Sequence, residues 1–196
     1  MRSAVSIPAR TASPPLLCAQ GEVDVAELYR LHARTVARWA ARLGGPGTDV
    51  EDVVQEVFLI AKRRLQTFTG DGRVTTWLFR TTANIAAAAR RKRRMSQWLG
   101  RVRAGDPPGM GAAEPAPGEA LEHRQEAERV YRALDGLPER QRRALILFEI
   151  DGLSTNEIAE LTGVRVATVR VWLFRARAKF QERYQAAADG GRGEGD

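Results

Sequence analysis

Between Ser96 and Gly118 the chain places Pro107, Pro108, Pro115 and Pro117 among five glycines, a composition that cannot sustain a helix. On both sides of it apolar residues recur at helical spacing, with almost no strand-like alternation. The sequence therefore predicts an all-α protein: two small helical domains joined by a flexible linker. The expected boundaries are a loose leader over 1–22, a first body over 23–95, the linker over 96–118, a second body over 119–185 and a tail over 186–196.

Punctuation residues divide each body into helices. In the first, Val25–Leu43 is stopped by Gly44-Gly45-Pro46. Thr48 followed by Glu51 has capping-box spacing and opens a second helix running to about Leu65. Phe68–Gly72 is a turn, and a third helix runs from Val74 into the basic run Arg90–Arg94. In the second body, Leu121–Leu134 is helical, and Pro138 starts a helix ending near Asp151-Gly152. Ser154 with Glu157 caps a short helix to Leu161, Thr162-Gly163-Val164 turns the chain, and Val166–Tyr184 is the last helix.

Composition narrows the function classes. A formal net charge of +7 suits a polyanionic partner. One cysteine, Cys18, excludes an internal disulfide framework, and His32 and His123 are too few for a multi-histidine metal site. No apolar run approaches the roughly 20 residues of a membrane span, so membrane insertion is not expected. There is no Gly-rich phosphate loop and no nucleophile with a plausible base, so neither a cofactor nor a catalytic residue is expected.

The last two helices have the layout of a helix-turn-helix. Val166, Val169, Leu173, Ala176 and Phe180 form one buried stripe of the second helix. Arg165, Arg170, Arg175, Arg177, Lys179 and Arg183 occupy the remaining surface. Guanidinium forks on such a helix suit phosphates and guanine edges, although a solvated basic helix would look the same. Trp172 and Phe174 either widen the buried face or, in the case of Phe174, reach a thymine methyl.

Two helices of the first body have informative outer faces. Val50, Val53, Val54, Val57, Ala61 and Leu65 make a core stripe, and Asp52, Gln55, Glu56 and Leu59 lie opposite it. Acids around an exposed leucine suit a docking surface, or a surface helix with one stray leucine. In the third helix Val74, Leu78, Thr81, Ile85 and Ala88 are predicted to face inward. Trp77, Arg80 and Asn84 share a flank and Phe79 points away from the stripe, an arrangement suited to unpaired bases or, for the aromatics, to core packing. From Arg90 to Arg103 there are seven cations and no acid, which favours a phosphate backbone or marks a basic hinge.

Two stretches together resemble the bacterial extracytoplasmic-function (ECF) RNA polymerase sigma factors of the sigma-70 family. EDVVQEVFLIAKRRLQTFTGDGRVTTWLFRTTANIA is similar to that family's second conserved region, and LDGLPERQRRALILFEIDGLSTNEIAELTGVRVATVRVWLFRARAKF to its fourth. The resemblance implies a sigma region 2 domain and a sigma region 4 domain. It implies a subunit that binds core RNA polymerase, recognises promoter DNA as duplex and as melted single strand, and has no catalytic site of its own. By position, Asp52, Gln55, Glu56 and Leu59 would meet the polymerase. Phe68, Gly70 and Asp71 would line a loop capturing a flipped base of the −10 element, and Trp77, Phe79, Arg80 and Asn84 would lie along the melted strand. Arg165, Arg170, Val171, Phe174, Arg175 and Lys179 would read the −35 element.

The chain departs from the family at Val171-Trp172, where relatives carry a small polar and then a basic residue, and at Val74, often an aromatic. The compact subgroup is commonly restrained by an anti-sigma factor, so a partner of that kind is implied, in the cytoplasm. An autonomous helix-turn-helix regulator is the competing reading, but it leaves the acidic face around Leu59 unused. An RNA-binding accessory protein leaves the helix-turn-helix unexplained. How the two bodies sit in the free chain is open at this level.

Overall fold

The computed structural model describes residues 25–64, 74–104 and 119–189, all of their regular structure helical. The first body is α1 (Val25–Gly44), α2 (Val50–Arg64) and α3 (Val74–Ala104). The second is α4 (Glu119–Asp135), α5 (Glu139–Leu145) running on into a π-helical turn at Ile146–Ile150, α6 (Thr155–Thr162) and α7 (Val166–Asp189). Helices α1, α2 and α3 pack on one another; α7 packs on α4, α5 and α6.

The apolar spacing accounts for the first core. Leu28, Val36, Trp39, Ala40 and Leu43 of α1 meet Val53, Val54, Val57, Phe58 and Ala61 of α2. Helix α3 adds Leu78, Phe79, Ala83 and Ala86. This face is rotated from the predicted stripe: Thr81 and Ile85 are half-buried, Ala88 is exposed, and Thr82 is buried. Small residues carry little hydrophobic weight, so a stripe built on alanines is weak in the sequence. Thr82 is tolerated because its hydroxyl donates to the Leu78 carbonyl at 2.7 Å.

Boundaries moved where capping chemistry differed. The N-cap of α2 is Asp49, whose carboxylate accepts from the Asp52 amide at 3.0 Å, not Thr48. The Thr48 hydroxyl instead accepts from Arg93 at 3.1 Å. Helix α3 continues through Ser96–Ala104, which the linker was expected to occupy, because this stretch holds only Gly100 as a weak breaker and no proline. Helix α7 likewise runs past Tyr184 to Asp189. The Ser154 capping box forms as predicted, with Ser154 and Glu157 each satisfying the other's backbone amide. Gly163 closes α6 at φ +71°, the left-handed conformation that makes the helix-turn-helix turn.

The two bodies are packed together. The buried residues of the first run continuously into Leu134, Leu137, Leu145, Leu147, Ile158, Val169 and Leu173 of the second, and α3 lies against α6.

Candidate nucleic-acid interface

Three surfaces carry the residues singled out by the sequence. On α2, the core stripe fixes the helix phase and leaves Asp52, Gln55, Glu56 and Leu59 outward, with Leu59 54% exposed. A leucine exposed to that extent among carboxylates has no partner in its own core.

On α7, Val169, Leu173 and Ala176 are buried, and the opposite face carries Arg170, Val171, Phe174 and Arg175. Phe174 is 77% exposed and Val171 46%, so apolar atoms lie between arginines on the face a groove would receive. Trp172 takes the other course and packs half-buried on the core. Arg165 is exposed at the start of the helix, and Lys179 is half-buried. Arg177 is directed away from this face: it bonds Glu149 at 2.9 Å and lies over the Phe148 ring.

The third surface differs from expectation. Phe79 is 1% exposed, packed edge-on against Trp39 with ring centroids 5.2 Å apart, and so is a core residue that no strand could touch. Its neighbour Leu78 lies on the same buried face, which is wide enough to take both. Trp77 is half-buried against the core, whereas Arg80 and Asn84 are exposed. Both make contacts to the second body: Arg80 donates to the Thr162 carbonyl at 3.2 Å, and Asn84 accepts from Arg143 at 3.2 Å. Phe68, Gly70 and Asp71 lie outside the described residues.

Much of the basic run, read as a phosphate binder, serves the fold. The last turn of α1 ends in carbonyls with no helical partner. The Leu43 carbonyl accepts from Arg90 at 2.9 Å and from Arg142 at 2.6 Å. The Gly44 carbonyl accepts from Arg93 at 3.1 Å, and that of Arg42 from the Tyr131 hydroxyl at 3.2 Å. Cations at a helix C-terminus also oppose its partial negative charge. Arg91 and Lys92 remain exposed.

Carboxylates complete this cluster. Asp135 lies 3.1 Å from Arg90 and 3.4 Å from Arg142, and Glu139 bonds Arg90 and, at 3.0 Å, Arg143. Burial lowers the Arg142 pKa to about 10, as does neighbouring Arg90, against the pull of Asp135 and Glu139. It remains charged at neutral pH. Burial pushes the Glu139 carboxyl up, but Arg90 and Arg143 outweigh it and hold it below its ordinary value. No local signal marks this cluster, since neither periodicity nor motif brings α5 to the end of α1.

Among the described residues no group of three or more His, Cys, Asp and Glu could hold a metal ion, and no helix is long and apolar enough to cross a membrane.

Comparison with known proteins places both bodies. Residues 28–95 match the family model for sigma-70 region 2, and residues 127–180 that for sigma-70 region 4. The chain is 37% identical over 145 residues to the ECF RNA polymerase sigma-E factor of Escherichia coli K12, covering 71% of this chain and 76% of that one. It is 34% identical over 160 residues to the ECF sigma factor SigE of Mycolicibacterium smegmatis, covering 80% and 60%. Among solved structures, CnrH in complex with the cytosolic domain of CnrY is similar at a TM-score of 0.54 and 28% identity, covering 83% of this chain and 88% of that one. The sigma factor RpoE of Bartonella quintana, in complex with the anti-sigma factor NepR, is similar at 0.52 and 25% identity, covering 82% and 96%.

Proposed function

The chain belongs to the ECF sigma factors, and from that premise we propose how its surfaces share the work of a promoter-specificity subunit of RNA polymerase. It binds core polymerase, directs it to promoters and assists melting. The observation that carries this reading is the presence of both regions, in order, on one chain. An autonomous regulator would use the second alone.

We assign core docking to the outer face of α2, through Asp52, Gln55, Glu56 and Leu59. The exposed leucine supports this, since an apolar centre ringed by polar groups is the usual make-up of an interface. The −35 duplex is assigned to α7 through Arg170, Val171, Phe174 and Arg175, with Arg165 and Lys179 on phosphates. Arginine forks discriminate guanine edges, and the Phe174 ring suits a thymine methyl. Arg80, Asn84 and the edge of Trp77 are assigned to the melted strand, with Phe68, Gly70 and Asp71 to a flipped base. Unstacking a base costs a few kcal/mol, which such contacts offset. Working with polymerase, the protein acts in the cytoplasm. A partner of the anti-sigma class is the expected restraint.

Run-off transcription with purified core polymerase and genomic promoter fragments tests the reading. Transcripts that depend on the added chain support it, and their absence rejects it.

A further inference from the structure

The far end of α3 belongs to neither core. From Met95 to Leu99 every side chain is exposed, so this stretch of helix is held by its continuity with the rest of α3 and not by burial. Three of those side chains are large and apolar: Met95, Trp98 and Leu99, each about half-exposed. They stand at i, i+3 and i+4, which puts them side by side on one face. None of the surfaces assigned to polymerase, the −35 duplex or the melted strand uses them.

The charge around this face has one sign. Helix α3 carries no acidic residue over its 31 residues. At helical spacing Lys92 and Arg94 fall on the two margins of the apolar face, and Arg91 lies one turn before Met95. All three are exposed; Arg94 also donates to the Asp135 carbonyl at 3.1 Å. An apolar stripe bordered by cations, with a tryptophan in it, is the make-up of a helix lying in a membrane–water interface. The stripe enters the acyl boundary, the indole stays at headgroup depth and the cations reach anionic phosphates. A DNA backbone would reward the cations and leave Met95 and Leu99 facing phosphate.

We propose that the Arg91–Leu99 end of α3 docks on an anionic phospholipid surface, lying in the headgroup layer. It rests on the bilayer and does not span it, since no helix among the described residues is long and apolar enough to cross. The proposal goes beyond the promoter-subunit reading and does not depend on it.

Co-sedimentation of the full chain with vesicles tests the site. Vesicles of phosphatidylglycerol and phosphatidylcholine in equal parts should capture the chain, vesicles of phosphatidylcholine alone should not, and added salt should weaken capture. Trp98→Ser with Leu99→Ser should lower capture about tenfold, and Arg91→Gln with Lys92→Gln by a similar factor, with helical content by circular dichroism unchanged. Lipids brominated in the acyl chain should quench part of the indole emission of the parent and none of that of Trp98→Phe, which keeps Trp39, Trp77 and Trp172.

No capture by the anionic vesicles overturns the proposal. So does capture that survives loss of the apolar pair, which would reduce the effect to the net positive charge of the chain. If the pair instead proves necessary for binding a promoter duplex or core polymerase while vesicles are indifferent to it, the face belongs to that partner and the lipid assignment falls. No polymerase enters the vesicle assay, so its failure leaves the run-off result standing.

Discussion

Arg142 of α5 donates to the main-chain oxygen of Leu43, 99 residues earlier, across 2.6 Å of fully buried space. It joins the two bodies at the point where α1 runs out of hydrogen-bond partners. The Arg90 guanidinium shares the same carbonyl at 2.9 Å, so one backbone oxygen is held from α3 and α5 together.

Truncating such a group leaves the Leu43 carbonyl and the half-buried Asp135 carboxylate with Arg90 as their shared remaining partner, and strips the packing of a fully buried side chain. Arg142→Met should cost about 3–5 kcal/mol of stability by urea denaturation. Arg177→Ala removes the 2.8 Å pair with Glu149, which is half-exposed on both sides, and should cost under about 1 kcal/mol. Equal costs would refute the structural role given to Arg142.

Phe79 and Leu59 separate packing from docking. Phe79→Ala empties a site against Trp39 and should destabilise the fold by about 3–5 kcal/mol. Leu59→Ala should leave stability within about 0.5 kcal/mol and weaken core polymerase binding. Thermal melts beside a polymerase pull-down of the two variants check both statements.

Phe174→Ala should leave the melting temperature unchanged, since the ring is largely in water. Its effect belongs to duplex binding, where replacing thymine by deoxyuridine in the −35 element should weaken the parent and not the variant. Arg175→Ala should lose about 1–3 kcal/mol of promoter discrimination if it reads a base. A uniform loss on all duplexes would make it a phosphate contact.

Acid should loosen the junction through Glu139. Its folded pKa lies below the ordinary 4.5, so its stabilisation is full above that value and is lost as pH falls through the lower folded one. Stability measured from pH 6 to 3 should fall less steeply for Glu139→Gln than for the parent.

Ser154→Ala removes the hydroxyl that accepts from the Glu157 amide, one half of the reciprocal cap on α6, and should cost about 0.5–2 kcal/mol by the same denaturation assay.

The sequence was most readable where local chemistry decides the outcome. The Ser154–Glu157 cap, the Gly163 turn and the valine stripe of α2 each depend on residues a few positions apart, and each was found where spacing put it. The same stripe fixed the outward direction of Leu59, and that of α7 the direction of Phe174. Legibility failed on α3, where alanines and a bonded threonine blurred the stripe and turned Phe79 the wrong way.

By itself, then, the sequence determined the helices, their grouping into two bodies and the outer faces of α2 and α7, because periodicity and capping act within a turn or two of chain. Only the tertiary structure decided that Arg90 and Arg93 brace the end of α1, that Arg94 reaches the end of α4, and that Arg80 and Asn84 are engaged by the other body. Those partners lie 41 to 82 residues apart along the chain, and such contacts depend on how whole helices stack, which no local pattern encodes.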